Sequence, residues 1–127
     1  MKTILVTGTS SGIGNQICIQ AAAMNFRVIS VSRNIEPLKD LGGIESFKLD
    51  ITDKDSVDDF VTNLKNRKIK IDILINNAGY LISELFNETT YDSFKKTFDV
   101  NVFGLAEITR SLIPIINKDG HVINISS

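Results

Sequence analysis

The 127 residues carry 14 lysines and arginines against 15 aspartates and glutamates, a formal net charge of −1, so no basic excess points to nucleic acid or to an anionic membrane surface, and neither partner is expected. A hydrophobic share of 43% and a charged share of 23% fit an ordinary globular chain of one domain's length, able to bury roughly two-thirds of its unfolded surface. A single cysteine, Cys18, excludes an internal disulfide, and Thr7 and Gly8 end the first apolar run too soon for a secretory signal, which together lead us to expect a reducing, cytoplasmic setting.

Along the chain, short β-rich runs alternate with longer helical patterns, the signature of a parallel sheet with crossover helices on both faces. The run Ile4-Leu5-Val6 predicts a strand over residues 3–7. Thr7-Gly8-Thr9-Ser10-Ser11-Gly12-Ile13-Gly14 follows and opens a helix over 12–25, with Ile13, Ile17, Ala21 and Met24 recurring on one face. Such a bend gathers backbone N–H groups and the positive helix end around one point, where a pyrophosphate can sit. Gly8 would allow a sharp exit from the strand, Gly12 a close backbone approach, and Gly14 tight packing of helix on sheet. The same residues also suit an ordinary strand-to-helix turn. Without a Gly-Lys-Ser/Thr ending, they do not suit a triphosphate loop.

The apolar, β-branched residues 28–31 predict a second strand over 27–32, closed by Ser32-Arg33-Asn34. A short helix is expected at 36–41, with Pro37 in its first turn and Gly42-Gly43 ending it, and a third strand at 46–49. Asp50, just beyond, suits either a turn or helix cap or a hydrogen bond to a ligand. Thr52-Asp53-Lys54-Asp55 reads as a capping box, and Val57, Phe60, Val61 and Leu64 repeat at helical spacing, so a helix runs to about Asn66. A fourth strand at 71–75 closes with Asn76-Asn77-Ala78-Gly79, where small residues let the backbone pass close to a ligand. The next helix begins near Thr90, carries Tyr91, Phe94 and Phe98, bends around 101–104 and continues to about Asn117, loosened by Pro114; residues 121–125 form a fifth strand.

His121 has no second His or Cys at ligand spacing, and Asp53, Asp55, Asp58 and Asp59 suit the first turns of a helix, so no metal site is expected. Tyr80 suits either a ligand contact or a surface aromatic. Cys18 reads as a small core residue.

The Thr-Gly-x-x-x-Gly-Ile-Gly spacing of residues 7–14, with Asn76-Asn77-Ala78-Gly79 at the fourth strand end, resembles the short-chain dehydrogenase/reductase family. That resemblance implies a Rossmann-type three-layer αβα sandwich with a parallel sheet of order 3-2-1-4-5, a nicotinamide dinucleotide cofactor, and hydride transfer to or from a small-molecule carbonyl or alcohol. It assigns Gly8, Ser10, Ser11, Gly12, Ile13 and Gly14 to the cofactor loop, Asp50 and the Ile51 backbone to adenine, Asn77 to bracing the sheet, and Ala78 and Gly79 to the adenosine ribose. Asn101 matches the asparagine whose backbone carbonyl holds a relay water, and Ser127 the catalytic serine. NAD-selective sites place an acid at the second strand end, and an arginine there pairs with a 2′-phosphate. With Ser32 and Arg33 in that place, NADP(H) is favoured and NAD(H) is the alternative.

In the family a tyrosine about a dozen residues past the serine, and a lysine four further on, complete the proton chemistry; Tyr80 and Tyr91 precede the fifth strand and do not match it. The resemblance thus covers the first half of a family domain. Little or no activity is expected of these residues alone, and a non-catalytic dinucleotide-binding module is the alternative function. The apolar fifth strand leads us to expect an exposed edge and a self-associated or homo-oligomeric chain.

Overall fold

In the computed structural model, which describes residues 1–126, five parallel strands form one sheet in the order β3-β2-β1-β4-β5. The elements in chain order are β1 (Thr3–Thr7), α1 (Gly12–Ala23), β2 (Arg27–Ser32), β3 (Ile44–Lys48), α2 (Lys54–Asn66), β4 (Ile71–Asn76), a 3₁₀ turn (Phe86–Glu88), α3 (Tyr91–Phe98), a π-turn (Asp99–Gly104), α4 (Leu105–Leu112), a second 3₁₀ turn (Ile113–Ile115) and β5 (Ile116–Asn124). The order is the one the resemblance implies, and the arrangement is a Rossmann-type αβα fold.

Strand side chains alternate between faces, and both faces are covered. Ile4, Val6, Val28 and Ile75 meet Cys18 and Ala21 of α1, together with Leu38. On the other face Leu5, Ile29, Val31 and Leu74 meet Val57, Phe60, Val61 and Leu64 of α2 and Ile108 and Leu112 of α4. Phe47 and Phe60 pack edge to face with centroids 5.0 Å apart, and Arg67 grips both oxygens of Glu45 at 2.6 and 3.0 Å, so α2 is fastened to β3.

The structure departs from the sequence reading in four places. The buried stripe of α1 is Gly14, Cys18 and Ala21, while Ile13 and Met24 point outward. Ile13, Ile17, Cys18, Ile19 and Ala21 spread apolar surface around much of the helix beside the polar Asn15, Gln16 and Gln20, and the sheet takes the stripe of small residues because it allows the closest approach. Residues 36–41 form successive turns rather than a helix; single bonds from Leu38 N–H to Ile35 O and from Leu41 N–H to Leu38 O leave the segment short of a helical ladder. β3 begins two residues early, at Ile44, because parallel pairing with Val28 reaches down to it. Pro114 stops α4 at Leu112, and β5 starts at Ile116, with two steps along β4 facing five along β5. Asp72 stabilises that irregular end, its two oxygens accepting from Thr3 N–H and the Asn117 amide, each at 2.8 Å. Val122, Ile123 and Ile125 at the β5 edge are more than one-third exposed.

Candidate functional site

The chain leaves β1 toward β2 and later crosses back to β4, so the direction of winding reverses between β1 and β4. In open α/β sheets the crevice beyond the strand C-termini at such a reversal is where ligands bind. Here it is a cleft of about 710 Å³, bordered by the ends of β1, β2, β3 and β4 and by α3.

Gly8 turns out of β1 at φ +70°, donates its N–H to Val31 O at 2.9 Å, and sits so close to the β4 turn that a Cβ would lie 2.6 Å from Ala78 Cα. Thr7 Oγ1 accepts from the Asn77 and Ala78 N–H groups at 3.1 and 3.0 Å, and the Asn77 amide donates to Gly8 O at 2.9 Å. A Cβ on Gly14 would collide with Gly8 O and Asn77 Nδ2. The two turns and the first turn of α1 are therefore packed as one unit. Thr9, Ser30 and Ser46 continue it as a chain of hydroxyls, 3.0 and 3.2 Å apart, beneath the loop and across β2 to β3.

The helix caps differ in a way that bears on chemistry. Asp53 caps α2 by accepting from Ser56 N–H at 3.2 Å, and Thr90 caps α3 by accepting from Ser93 N–H at 3.1 Å. Ser11, the N-cap of α1, makes no side-chain cap bond, and the first turn of α1 contains no acid. The positive end of α1 thus lacks the acceptor that its neighbours possess. Apart from its chain neighbours and its own helix backbone, no atom of the described residues lies within 4 Å of where a Gly12 Cβ would stand. Gly8, Ser10 and Ser11 line the main cleft, whereas Gly12 and Ile13, the latter 60% exposed, line an adjoining open cavity of about 650 Å³.

Ser32, Arg33, Asp50, Ile51, Ala78 and Gly79 also line the cleft. Ser32 Oγ donates to Asn34 O at 2.7 Å, so its proton is committed to the loop it supports. Arg33 is exposed and has no ion-pair partner among the described residues. Asp50 Oδ1 accepts from Thr52 N–H at 2.9 Å and from the Thr52 hydroxyl at 2.7 Å. Burial pushes this carboxyl up, but the Thr52 bonds outweigh that and, with the nearby Arg33 and Lys96 charges, hold it below the usual carboxylate range. The Ile51 side chain is buried against Gly104.

Asn101 sits in the π-turn, and its side chain clamps Tyr80: Oδ1 accepts from Tyr80 N–H at 2.8 Å and Nδ2 donates to Tyr80 O at 2.9 Å. Single π-turns inside α-helices recur at functional sites. Asn76 braces the far side, its amide donating to Thr109 Oγ1 and Asn124 Oδ1 at 2.9 Å each, while its own Oδ1 is buried without a partner among the described residues. Bracing is thus shared, Asn77 joining β4 to the β1 turn and Asn76 joining it to β5 and α4. Ser127 lies outside the described residues.

Three contributors escaped the sequence reading. Thr7 and Asn76 belong to the two motifs, but neither is assigned a contact of its own by them. Lys96 lines the cleft with its ammonium 4.3 Å from the Tyr80 ring centroid; the sequence does not single it out, since Asp92 stands four residues before it just as Asp99 stands four after Lys95. Among the described residues no three His, Cys, Asp or Glu side chains are grouped to hold a metal ion, and no helix is long and apolar enough to cross a membrane.

A winding reversal, a glycine turn packed on a second strand end and an uncapped helix facing a cleft define the dinucleotide-binding class of α/β folds. The chain belongs to the short chain dehydrogenase family, whose profile matches residues 2–127. It is 36% identical to a fatty acyl-CoA reductase of Acinetobacter baylyi, over 99% of this chain and 47% of that protein. A short-chain dehydrogenase from Streptomyces avermitilis superposes with a TM-score of 0.90 at 38% identity, over 99% of this chain and 49% of that one. A short chain dehydrogenase from Leptospira borgpetersenii with bound NAD+ gives 0.92 at 26% identity (99% and 51% covered), and ElxO with NADP bound gives 0.87 at 27% (99% and 55%). The chain spans about half the length of the curated relatives it matches.

Proposed function

We propose that residues 1–127 form the cofactor-binding domain, the first part of a family domain, of an NADP(H)-dependent oxidoreductase acting on a small-molecule carbonyl or secondary alcohol. The observation that carries this reading is the uncapped α1 N-terminus, held against the cleft by the Gly8–Gly14–Asn77 contact. When bound, the dinucleotide supplies or accepts the hydride. Ser10, Ser11, Gly12, Ile13 and Gly14 hold its pyrophosphate through backbone N–H groups and the helix dipole, and Gly8, whose own N–H is spent on Val31 O, turns the chain into that loop. Asp50 and the Ile51 backbone take the adenine, and Ala78 and Gly79 line the adenosine ribose, braced by Asn77.

Both NAD+ and NADP occur in the solved relatives, so preference for NADP(H) rests on Arg33, a guanidinium without an ion-pair partner among the described residues, where an acid would hold the NAD ribose. Ser32 acts by holding the Asn34 loop that carries Arg33. Because the Asn101 side chain is spent on Tyr80 and the helix opens into a π-turn at this point, the Asn101 carbonyl is suited to hold a relay water. Ser127 would hydrogen-bond the substrate oxygen.

The test is calorimetric titration of the protein with NADPH and NADH, repeated on Arg33→Ala. NADPH should bind more tightly, and the substitution should weaken NADPH by about tenfold, the worth of one charge-assisted contact, while leaving NADH unchanged. Tighter binding of NADH would overturn the NADP(H) preference. Binding of neither would overturn the cofactor reading.

A further inference from the structure

Lys95 and Lys96 are neighbours with different fates. Lys95 pairs with Asp99 at 2.7 Å. Lys96 has no carboxylate in ion-pair contact among the described residues; its ammonium lies over the Tyr80 ring, 4.3 Å from the centroid, and it lines the cleft. Tyr80 is a firm support, since Asn101 holds both its N–H and its carbonyl. A ring face occupies one side of an ammonium, and the remaining N–H donors stay available.

Asp50 lines the same end of the cleft. Thr52 occupies its Oδ1 twice, whereas Oδ2 accepts no hydrogen bond among the described residues. The Lys96 charge acts on this carboxylate, yet the two groups are not in ion-pair contact. One end of the cleft therefore presents an acceptor and a donor that do not satisfy each other. Purine edges distinguish such a pair. Adenine offers an amine donor at N6 beside an acceptor at N7, while a 6-oxo purine offers two acceptors and sets its O6 against the carboxylate.

We propose that Asp50 and Lys96 together read the N6–N7 edge of adenine, Asp50 accepting from the amine and Lys96 donating to N7, which makes Lys96 a determinant of base specificity. This rests on the cofactor reading above, in which the cleft takes an adenine dinucleotide. Lys96 adds a second check on the base: a ligand that keeps the amine but lacks N7 loses the ammonium contact.

The probes are ADP and 7-deaza-ADP, which differ at ring position 7, titrated by calorimetry into the unaltered protein and into Lys96→Met, which keeps the apolar stem over Tyr80. The unaltered protein should prefer ADP by about tenfold, the range of one hydrogen bond to a charged group. Lys96→Met should bind ADP about as weakly as the unaltered protein binds 7-deaza-ADP, and should not tell the two apart. Equal affinities in the unaltered protein, or a preference that survives Lys96→Met, would overturn the Lys96 assignment and leave the cofactor reading standing. Absence of ADP binding to the unaltered protein would overturn both. The first comparison involves no substitution, so the result does not depend on a variant folding.

Discussion

Gly14→Ala sets two known effects against each other. In an exposed helix the change would stabilise by about 1 kcal/mol, because alanine loses less backbone freedom on folding. At this position the added methyl would collide with Gly8 O and Asn77 Nδ2 and lie 3.0 Å from the Gly8 carbonyl carbon. No rotamer relieves a Cβ clash, and the obstacle is mostly backbone, so α1 must lift from the sheet or the Gly8 turn must shift. Overpacking of this kind costs about 1–3 kcal/mol. Displacing the Asn77 amide also forfeits its 2.9 Å bond to Gly8 O, a further loss of about 1 kcal/mol. Strain and the lost bond together outweigh the propensity gain, and the expected net destabilisation is about 2 kcal/mol. Urea unfolding followed by far-ultraviolet circular dichroism measures it as a lower midpoint at unchanged slope. Gly12→Ala is the companion: no neighbour obstructs it, but φ is +59°, so it should lose only the roughly 1–2 kcal/mol of a left-handed backbone. A Gly14→Ala protein as stable as the original, or more so, would refute the claim that close packing of α1 requires glycine.

Two further outcomes follow from ionisable groups. Folding holds Asp50 below the usual carboxylate range, so its stabilisation is complete above the unfolded value near 4 and is lost as pH falls through the lower folded value. Thr52→Val removes the hydroxyl donor but keeps the N–H, and should raise the Asp50 carboxyl in an NMR titration; an unchanged value would mean that the Thr52 hydroxyl is not what holds it down. The Cys18 thiol is fully buried and pushed up to about 12 by burial, so a thiol reagent should label the native protein at least about a hundredfold more slowly than the urea-unfolded chain. Comparable rates would contradict the packing of α1 on the sheet.

What could be read from the sequence was whatever a single residue's neighbours along the chain determine. The apolar β-branched runs and the Val57–Phe60–Val61–Leu64 stripe gave the strands and α2, and their order implied both covered faces. On α1, Gly14, Cys18 and Ala21 are legible as packing residues, whereas Ile13 and Met24, which apolar spacing puts on the inward face, point outward because the sheet admits small side chains there. Residues 36–41 satisfy helix composition but have too few turns to offset nucleation. Gly8, Ser10, Ser11, Asn77, Ala78 and Gly79 line the cleft while Gly12 and Ile13 line the adjoining cavity, and the partners of Ser32 and Asn101 are backbone atoms of Asn34 and Tyr80, which side-chain identity does not announce. Lys96 was invisible for a related reason. Its placement depends on a loop residue, Tyr80, brought alongside α3 by the Asn101 clamp.

The π-turn at Asp99–Gly104 makes the distance between cleft and core a matter of counting. An α-helix rotates by about 100° per residue, and a π-turn absorbs one extra residue without breaking the rod. α3 turns Lys96 to the cleft, while α4 turns Ile108 and Leu112 inward; the looser winding of the π-turn between them sets the phase of those two tasks. Winding residues 99–104 as regular α-helix without removing a residue would put α4 out of phase by about a quarter-turn, so that either the cleft wall or the core keeps its side chains, but not both, whereas deleting the surplus residue would restore a regular helix with the phase kept. The irregular segment therefore works as a fixed gear offset, in which the winding matters more than the chemistry of most side chains within it.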